Sequence, residues 1–115
     1  LQENLIMGDL SIVRDWSSAE DICKGMIKVV ETGFTEDVIL ASGVNTTLSE
    51  IVASAFASVG ISNWNDYVTT DPALLRTNDE RVVTYDVSLA KTNLDWSATK
   101  STNVWISEMV ESFRV

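Results

Sequence analysis

Arg14 and Arg76 are the side chains of this sequence best placed for chemistry, and that chemistry is the holding of an anion. A guanidinium presents a planar fork of N–H donors that grips phosphate oxygens in pairs. Both arginines stand where a strand or loop is expected to end, the usual station of binding residues. The chain has 17 acids against 8 bases, a formal charge of -9, so its cations are few and their placement is informative. The competing reading is a surface ion pair, Arg14 with Asp15 or Arg76 with Asp79.

Beyond these, the inventory for catalysis is thin. The chain has no histidine, which removes the usual imidazole base and the commonest zinc ligand. No G-x-G-x-x-G or G-x-x-G-x-x-G loop occurs, so a self-contained dinucleotide site is not expected. A Tyr-x-x-x-Lys pair is missing too: Tyr67 is followed at that spacing by Asp71, and Tyr85 by Leu89. Carboxylates are plentiful, but they do acid–base work only when folding brings two together with split pKa values. No catalytic, cofactor or metal residue is therefore assigned within the chain itself.

The elements that position the arginines follow from periodicity and caps. Residues 10–16 read as a short strand running into a loop, and Ser17 with Glu20 has capping-box spacing. Ala19, Ile22, Cys23, Met26, Ile27 and Val30 then recur at helical spacing, predicting a helix over 18–32 that stops at Gly33. On this pattern Cys23 is a small core residue. The apolar run 37–42 suits a buried strand, closed by Gly43. Thr47 with Glu50 gives a second capping box, and Leu48 to Val59 a second amphipathic helix ended by Gly60. The first three elements read as a βαβ unit with parallel strands. Residues 61–80 carry the only proline and read mostly as loop, 81–85 as a short strand, and 87–94 as a short helix. A last helix begins near Ser101 or Thr102, with Ile106, Met109, Val110 and Phe113 on one face. Glu20 and Asp21 read as carboxylates favoured at a helix N-terminus. Trp96 and Trp105 read as packing residues.

Length and composition set the outer limits. A chain of 115 residues with 45% apolar residues makes one ordered domain, spanning 1–115. An acidic domain repels phosphate backbones, so nucleic acid is excluded as a partner. No apolar run approaches the ~20 residues that cross a bilayer and no signal peptide is visible, so the expectation is a cytoplasmic protein without a membrane partner. A single cysteine forms no internal disulfide. The sequence opens on Leu1 rather than methionine and reads as part of a longer protein.

An ordered set of motifs gives a more specific reading. Gly8-Asp-Leu-Ser-Ile-Val-Arg-Asp-Trp-Ser-Ser-Ala-Glu-Asp21, continuing to Met26, resembles G-N-L-x-x-x-R-D-W-G-x-A-x-D-Y-V-x-A-M without a gap. Val38-Ile-Leu-Ala-Ser-Gly43 resembles V-I-A-T-G, and Ala55-Phe56 with Gly60 fits A-F-x-x-x-G. Trp64-Asn-Asp-Tyr-Val68 and Asp71-Pro72 follow W-x-D-Y-V and D-P. From Arg76 the chain runs parallel to R-P-x-E-V-D-x-L-x-G-D-x-S-K-A-x-x-x-L-G-W, matching at Arg76, Asp86, Ser88, Ala90, Leu94 and Trp96. Glu108-Met109-Val110 fits a closing E-M-V. These are patterns of the GDP-mannose 4,6-dehydratases, extended short-chain dehydrogenases/reductases of the NAD-dependent epimerase/dehydratase superfamily, and the likeness covers nearly the whole chain. Among the departures are Asp9 for Asn, Ser17 for Gly, Thr77 for Pro, Asp79 for Glu and Leu89 for Lys.

What the resemblance implies is an α/β fold: the small C-terminal substrate-binding domain of such an enzyme, with short, mostly parallel strands, about four helices and no Rossmann half. The parent would be an NADP-dependent lyase that dehydrates GDP-mannose. This chain would bind the sugar nucleotide without carrying hydride chemistry, and no cofactor would sit in it. Arg14 and Arg76 would bind the diphosphate, Asp79 the ribose hydroxyls, and Trp16 would line the sugar pocket. The partners implied are GDP-mannose or a similar sugar nucleotide, the missing Rossmann domain and, through faces that domain would cover, a second copy of the chain. A fragment of another NAD(P)-dependent sugar-nucleotide epimerase or reductase, and a free-standing non-catalytic binding or assembly module, are the alternatives.

Overall fold

The computed structural model describes residues 3–114. Its elements in chain order are β1 (Leu5–Met7), β2 (Val13–Asp15), α1 (Ala19–Thr32), β3 (Asn45–Thr47), α2 (Leu48–Ala57), β4 (Val68–Thr70), α3 (Ser88–Leu94) and α4 (Thr102–Ser112). One-turn 3-10 helices lie at Trp64–Tyr67 and Pro72–Leu74, on either side of β4. The α/β reading with four helices holds. β1 and β4 pair in parallel, Leu5 opposite Val68 and Met7 opposite Thr70. β2 pairs antiparallel with β3, Arg14 opposite Thr46. On its other edge β2 takes a parallel bridge, Val13 to Val82.

The βαβ unit read across residues 10–42 is corrected here. Residues 37–42 run without a sheet partner among the described residues, and the strand that follows α1 is β3, antiparallel to β2. The cause is a turn. Gly43 adopts φ 77°, a left-handed conformation that a side chain disfavours, and the chain doubles back so that 45–47 run against β2. The Asp15 carboxylate clasps this turn, accepting from Ser42 N–H (2.9 Å), Ser42 Oγ–H (2.8 Å) and Gly43 N–H (2.6 Å).

Local signals set the helix ends. Gly33 caps α1 at φ 66°, its N–H donating to Val30 O at 3.2 Å. The Thr47–Glu50 capping box forms in both directions and starts α2. The Ser17–Glu20 box does not form. Ser17 Oγ–H donates to Asp15 at 3.1 Å, while Glu20 is drawn to Lys24 at 2.7 Å and Lys100 at 2.6 Å.

The core centres on Ala90, Leu94 and Trp96, packed by Ile22, Val29 and Phe34 from α1 and its exit, and by Val38, Leu40 and Ala98. Residues 38–40 thus contribute side chains to the core without joining a ladder. Gly25 lies where α1 crosses this cluster: a Cβ there would sit 3.0 Å from Leu40 and from the Trp96 ring. The core face of α1 is therefore Ile22, Gly25 and Val29. Cys23, Met26, Ile27 and Val30 are exposed, which corrects the expectation of a core cysteine. A 3.6-residue repeat defines a stripe about 100° wide, and a missing side chain at Gly25 lets the packed line shift to one edge of it. A second contact joins α2 to α4, with Val52 and Ile106 buried and Ser54 Oγ–H donating to Asn103 at 2.8 Å. Met109 and Phe113, expected on the packed face of α4, are exposed.

Asp21 ties α1 to the segment that leads into α4. It is 1% exposed and accepts from Thr99 Oγ–H (2.8 Å), Thr99 N–H (3.1 Å) and Lys100 N–H (2.9 Å). Burial pushes its pKa up, but these hydrogen bonds outweigh burial and hold the carboxyl below its ordinary value. Lys100 bridges Glu20 and Glu108, whose hydrogen bonds raise the ammonium pKa, and the same contact with Lys100, joined by Lys24, lowers the Glu20 carboxyl to about 2. No described helix is long and apolar enough to cross a membrane.

Candidate functional site

β2 sets the floor of the site. Its short antiparallel pairing with β3 fixes Arg14, and the last residue of β3, Thr47, is the N-cap of α2. Across the other edge of β2 lies the segment after the Arg76 loop: Val13 N–H donates to Arg81 O at 2.7 Å, and Val83 N–H to Val13 O at 3.2 Å. Those two backbone bonds bring a loop some 65 residues distant onto the strand that carries Arg14.

The result is a cleft of about 540 Å³ between β2, the start of α2 and the 74–81 segment. Arg14, Trp16, Arg76 and Asp79, singled out from the sequence as site residues, all line it. Arg81, Asp9 and Gly8 line it as well and were not assigned a role from sequence. Arg81 carried a faint signal, a third arginine five residues after Arg76, but only the strand bridge shows that it reaches the cleft.

Arg14 is held on two sides. Its Nη1–H donates to Val13 O at 2.8 Å and its Nη2–H to Asp79 Oδ1 at 2.7 Å. Neither ion pair weighed for the arginines, Arg14 with Asp15 or Arg76 with Asp79, is the one that forms. Asp15 is occupied by the 42–44 turn, which leaves Asp79 for Arg14. Arg76 has no carboxylate within salt-bridge distance among the described residues, and the loop from 72 to 82 is exposed. A guanidinium has five N–H donors, so Arg14 keeps three after these two bonds. Trp16 is half-buried, its indole N–H donating to Thr46 O at 3.3 Å, which fixes the ring against β3 at one side of the cleft.

A dinucleotide does not fit these residues. Gly25 is packed inside α1, Gly33 and Gly60 follow helix C-terminal ends, and Gly43 is bound into the Asp15 clasp. A side chain at Gly8 would meet Leu74 O at 3.2 Å, so this glycine serves the approach of the 72–74 turn. None stands at the N-terminus of a helix, where a pyrophosphate is cradled. No cluster of three or more Cys, Asp or Glu side chains suited to a metal ion occurs among the described residues.

This fold recurs in solved enzymes that act on sugar nucleotides. The UDP-glucose 4-epimerase of Thermotoga maritima, solved with UDP-glucose, superposes with a TM-score of 0.84 at 24% identity, over 98% of this chain and 35% of that one. The dTDP-glucose 4,6-dehydratase of Bacillus anthracis, solved with NAD, gives 0.80 at 21% identity, over 95% and 34%. The fold is thus one that these epimerase and dehydratase structures share. Within it, residues 1–109 match the family model for GDP-mannose 4,6 dehydratase. GDP-mannose 4,6 dehydratase 1 of Arabidopsis thaliana is 30% identical over 96 residues, 84% of this chain and 26% of that protein. GDP-mannose 4,6-dehydratase of Vibrio cholerae is 25% identical over 138 residues, 97% of this chain and 37% of the relative. The chain belongs to the GDP-mannose 4,6 dehydratase family, and it spans about a quarter to a third of the length of these relatives.

Proposed function

We propose that residues 1–115 form a single sugar-nucleotide-binding domain of a GDP-mannose 4,6-dehydratase. One observation carries this: four residues marked by motif and chemistry, Arg14, Trp16, Arg76 and Asp79, line one cleft although they come from two distant segments. In this reading Arg76, which has no carboxylate partner among the described residues, meets the diphosphate directly. Arg14 meets it with the donors that Val13 and Asp79 leave free. Guanidinium–phosphate contacts are charge-assisted, often paired, and stronger than neutral hydrogen bonds. Asp79, steadied by Arg14 through one oxygen, offers the other to the ribose hydroxyls. Trp16 walls the sugar side.

The parent reaction is dehydration of the bound hexose, and the hydride chemistry it needs comes from an NADP-binding Rossmann half. The residues here bind and orient the substrate; they hold no cofactor and supply no catalytic base. Exposed Met26, Ile27 and Val30 on α1, with Ile39 and Val44, offer an apolar face for that half and for assembly into a homo-oligomer. The setting is the cytoplasm.

Calorimetric titration with GDP-mannose, with GDP and UDP-glucose as comparators, tests the reading. The expected result is binding of the guanosine ligands that is lost in Arg76→Ala. Equal affinity for UDP-glucose would move the assignment to another sugar-nucleotide enzyme of the same fold, and no binding of GDP-mannose or GDP would overturn it.

A further inference from the structure

Three of the chain's four arginines, Arg14, Arg76 and Arg81, line the same cleft. The fourth, Arg114, pairs with Glu111 at 3.2 Å, and Arg14 pairs with Asp79 at 2.7 Å. Arg76 and Arg81 have no carboxylate within salt-bridge distance among the described residues, in a chain with 17 acids to draw on. Asp9 lies on the cleft near Arg81; its Oδ1 accepts from Ser11 N–H at 2.8 Å and Oγ–H at 2.6 Å, and these bonds, with the nearby Arg81 charge, lower its carboxyl pKa, but the two side chains form no salt bridge. Three guanidinium groups against the two carboxylates of Asp9 and Asp79 leave this cleft net positive in a chain of charge -9, and a bound anion would offset that excess.

The position of Arg81 is fixed by its backbone, not its side chain. Its carbonyl accepts the Val13 N–H, which sets residue 81 beside the strand of Arg14 and leaves the guanidinium free. The position is also a departure: the pattern R-P-x-E-V-D places an aspartate where this chain has Arg81, a change of two charge units at the cleft.

We propose that Arg81 is a third anion-contacting residue of this site, and that it selects a ligand with two linked phosphate groups over one with a single phosphate. The inference rests on the sugar-nucleotide reading above. Arg14 is offset by Asp79, so without Arg81 the cleft would present Arg76 as its one unpaired guanidinium. With Arg81 there are two, one for each phosphate group of a nucleoside-diphosphate linkage.

The test is titration of the protein with GDP-mannose, inorganic pyrophosphate and GMP, in wild type and in Arg81→Ala, Arg81→Lys and Arg76→Ala. Arg81→Ala should weaken GDP-mannose and pyrophosphate about tenfold, the scale of one charge-assisted contact, and change GMP less than twofold. Arg81→Lys should recover part of the loss, since it keeps the charge but not the fork. Far-UV circular dichroism should be unchanged, because the bond to Val13 uses the backbone carbonyl. Affinity for GDP-mannose that depends on Arg76 and ignores Arg81 would overturn this inference and leave the sugar-nucleotide reading intact. Arg81-dependent pyrophosphate binding with no affinity for GDP-mannose would do the reverse. No binding of any ligand would overturn both.

Discussion

The Arg14 guanidinium and the Asp79 carboxylate, 65 residues apart in the chain, meet at 2.7 Å in the cleft that both line. The pair joins a residue on a strand to one on an exposed loop, and both side chains remain partly accessible, at 22% and 32%. Its contribution to stability is consequently small, and its consequence is positional. Asp79→Ala should cost about 0.5 kcal/mol or less in chemical denaturation. If Asp79 holds the ribose hydroxyls as proposed, the same change should weaken GDP-mannose about tenfold. Pyrophosphate should bind equally or more tightly, because Arg14 is released. Equal weakening of both ligands would show that Asp79 acts only by holding Arg14.

Asp15 should matter more for folding than for ligand. Its carboxylate accepts four hydrogen bonds, from Ser17, twice from Ser42 and from Gly43, and these close the turn that sends β3 back along β2. Asp15→Ala leaves part-buried donors unpaired, at a cost of about 2 kcal/mol, readable as a lower urea midpoint. An unchanged midpoint would mean that water replaces the carboxylate.

Acid should weaken the link between α1 and α4. The folded-state pKa values of Asp21 and Glu20 are depressed, Glu20 to about 2. Each carboxylate therefore adds stability that is present above its unfolded pKa, about 4. That contribution fades as pH falls through the folded value. Wild type should lose stability between about pH 4.5 and pH 2. Asp21→Asn, less stable at pH 7 by about 2 kcal/mol, should converge on wild type at the acid end. Parallel curves down to pH 2 would refute the assignment to Asp21.

Gly25 should resist replacement although it sits inside a helix. Alanine there gains roughly 0.8–1 kcal/mol of helix propensity. Its Cβ, however, would stand 3.0 Å from Leu40 and from Trp96, and overpacking a core costs about 1–3 kcal/mol. Gly25→Ala should therefore be destabilising by about 1 kcal/mol in thermal or urea unfolding. A stabilised variant would show that Leu40 moves aside.

Elements whose signals are local were legible in the sequence. The Gly33 stop, the Thr47–Glu50 box, the short 88–94 helix and the start of α4 each depend on residues within a turn of one another. Arg14, Trp16, Arg76 and Asp79, marked in the sequence by motif and charge chemistry, are brought by the structure to one cleft.

What tertiary structure alone decided turns on competition between distant partners. Ser17 and Glu20 stand at capping-box spacing, but Glu20 is drawn to Lys100 from far along the chain and Ser17 to Asp15, which Ser42 and Gly43 hold, and the first box is lost. The 37–42 run has the composition of a strand, yet a strand exists only with a neighbour, and β3 took the edge of β2 instead. Cys23 lies within the apolar stripe of α1, but Gly25 let Leu40 and Trp96 dock on the adjoining line and left the thiol outside. Arg81 reaches the cleft because its carbonyl accepts the Val13 N–H and Val83 N–H donates to Val13 O. By itself the sequence determined the helices, their ends and the family motifs, because those are written within a few residues or in side-chain type. Which charges pair, which face of α1 is covered and how many arginines share the cleft depend on contacts across tens of residues, and these form only when the chain folds.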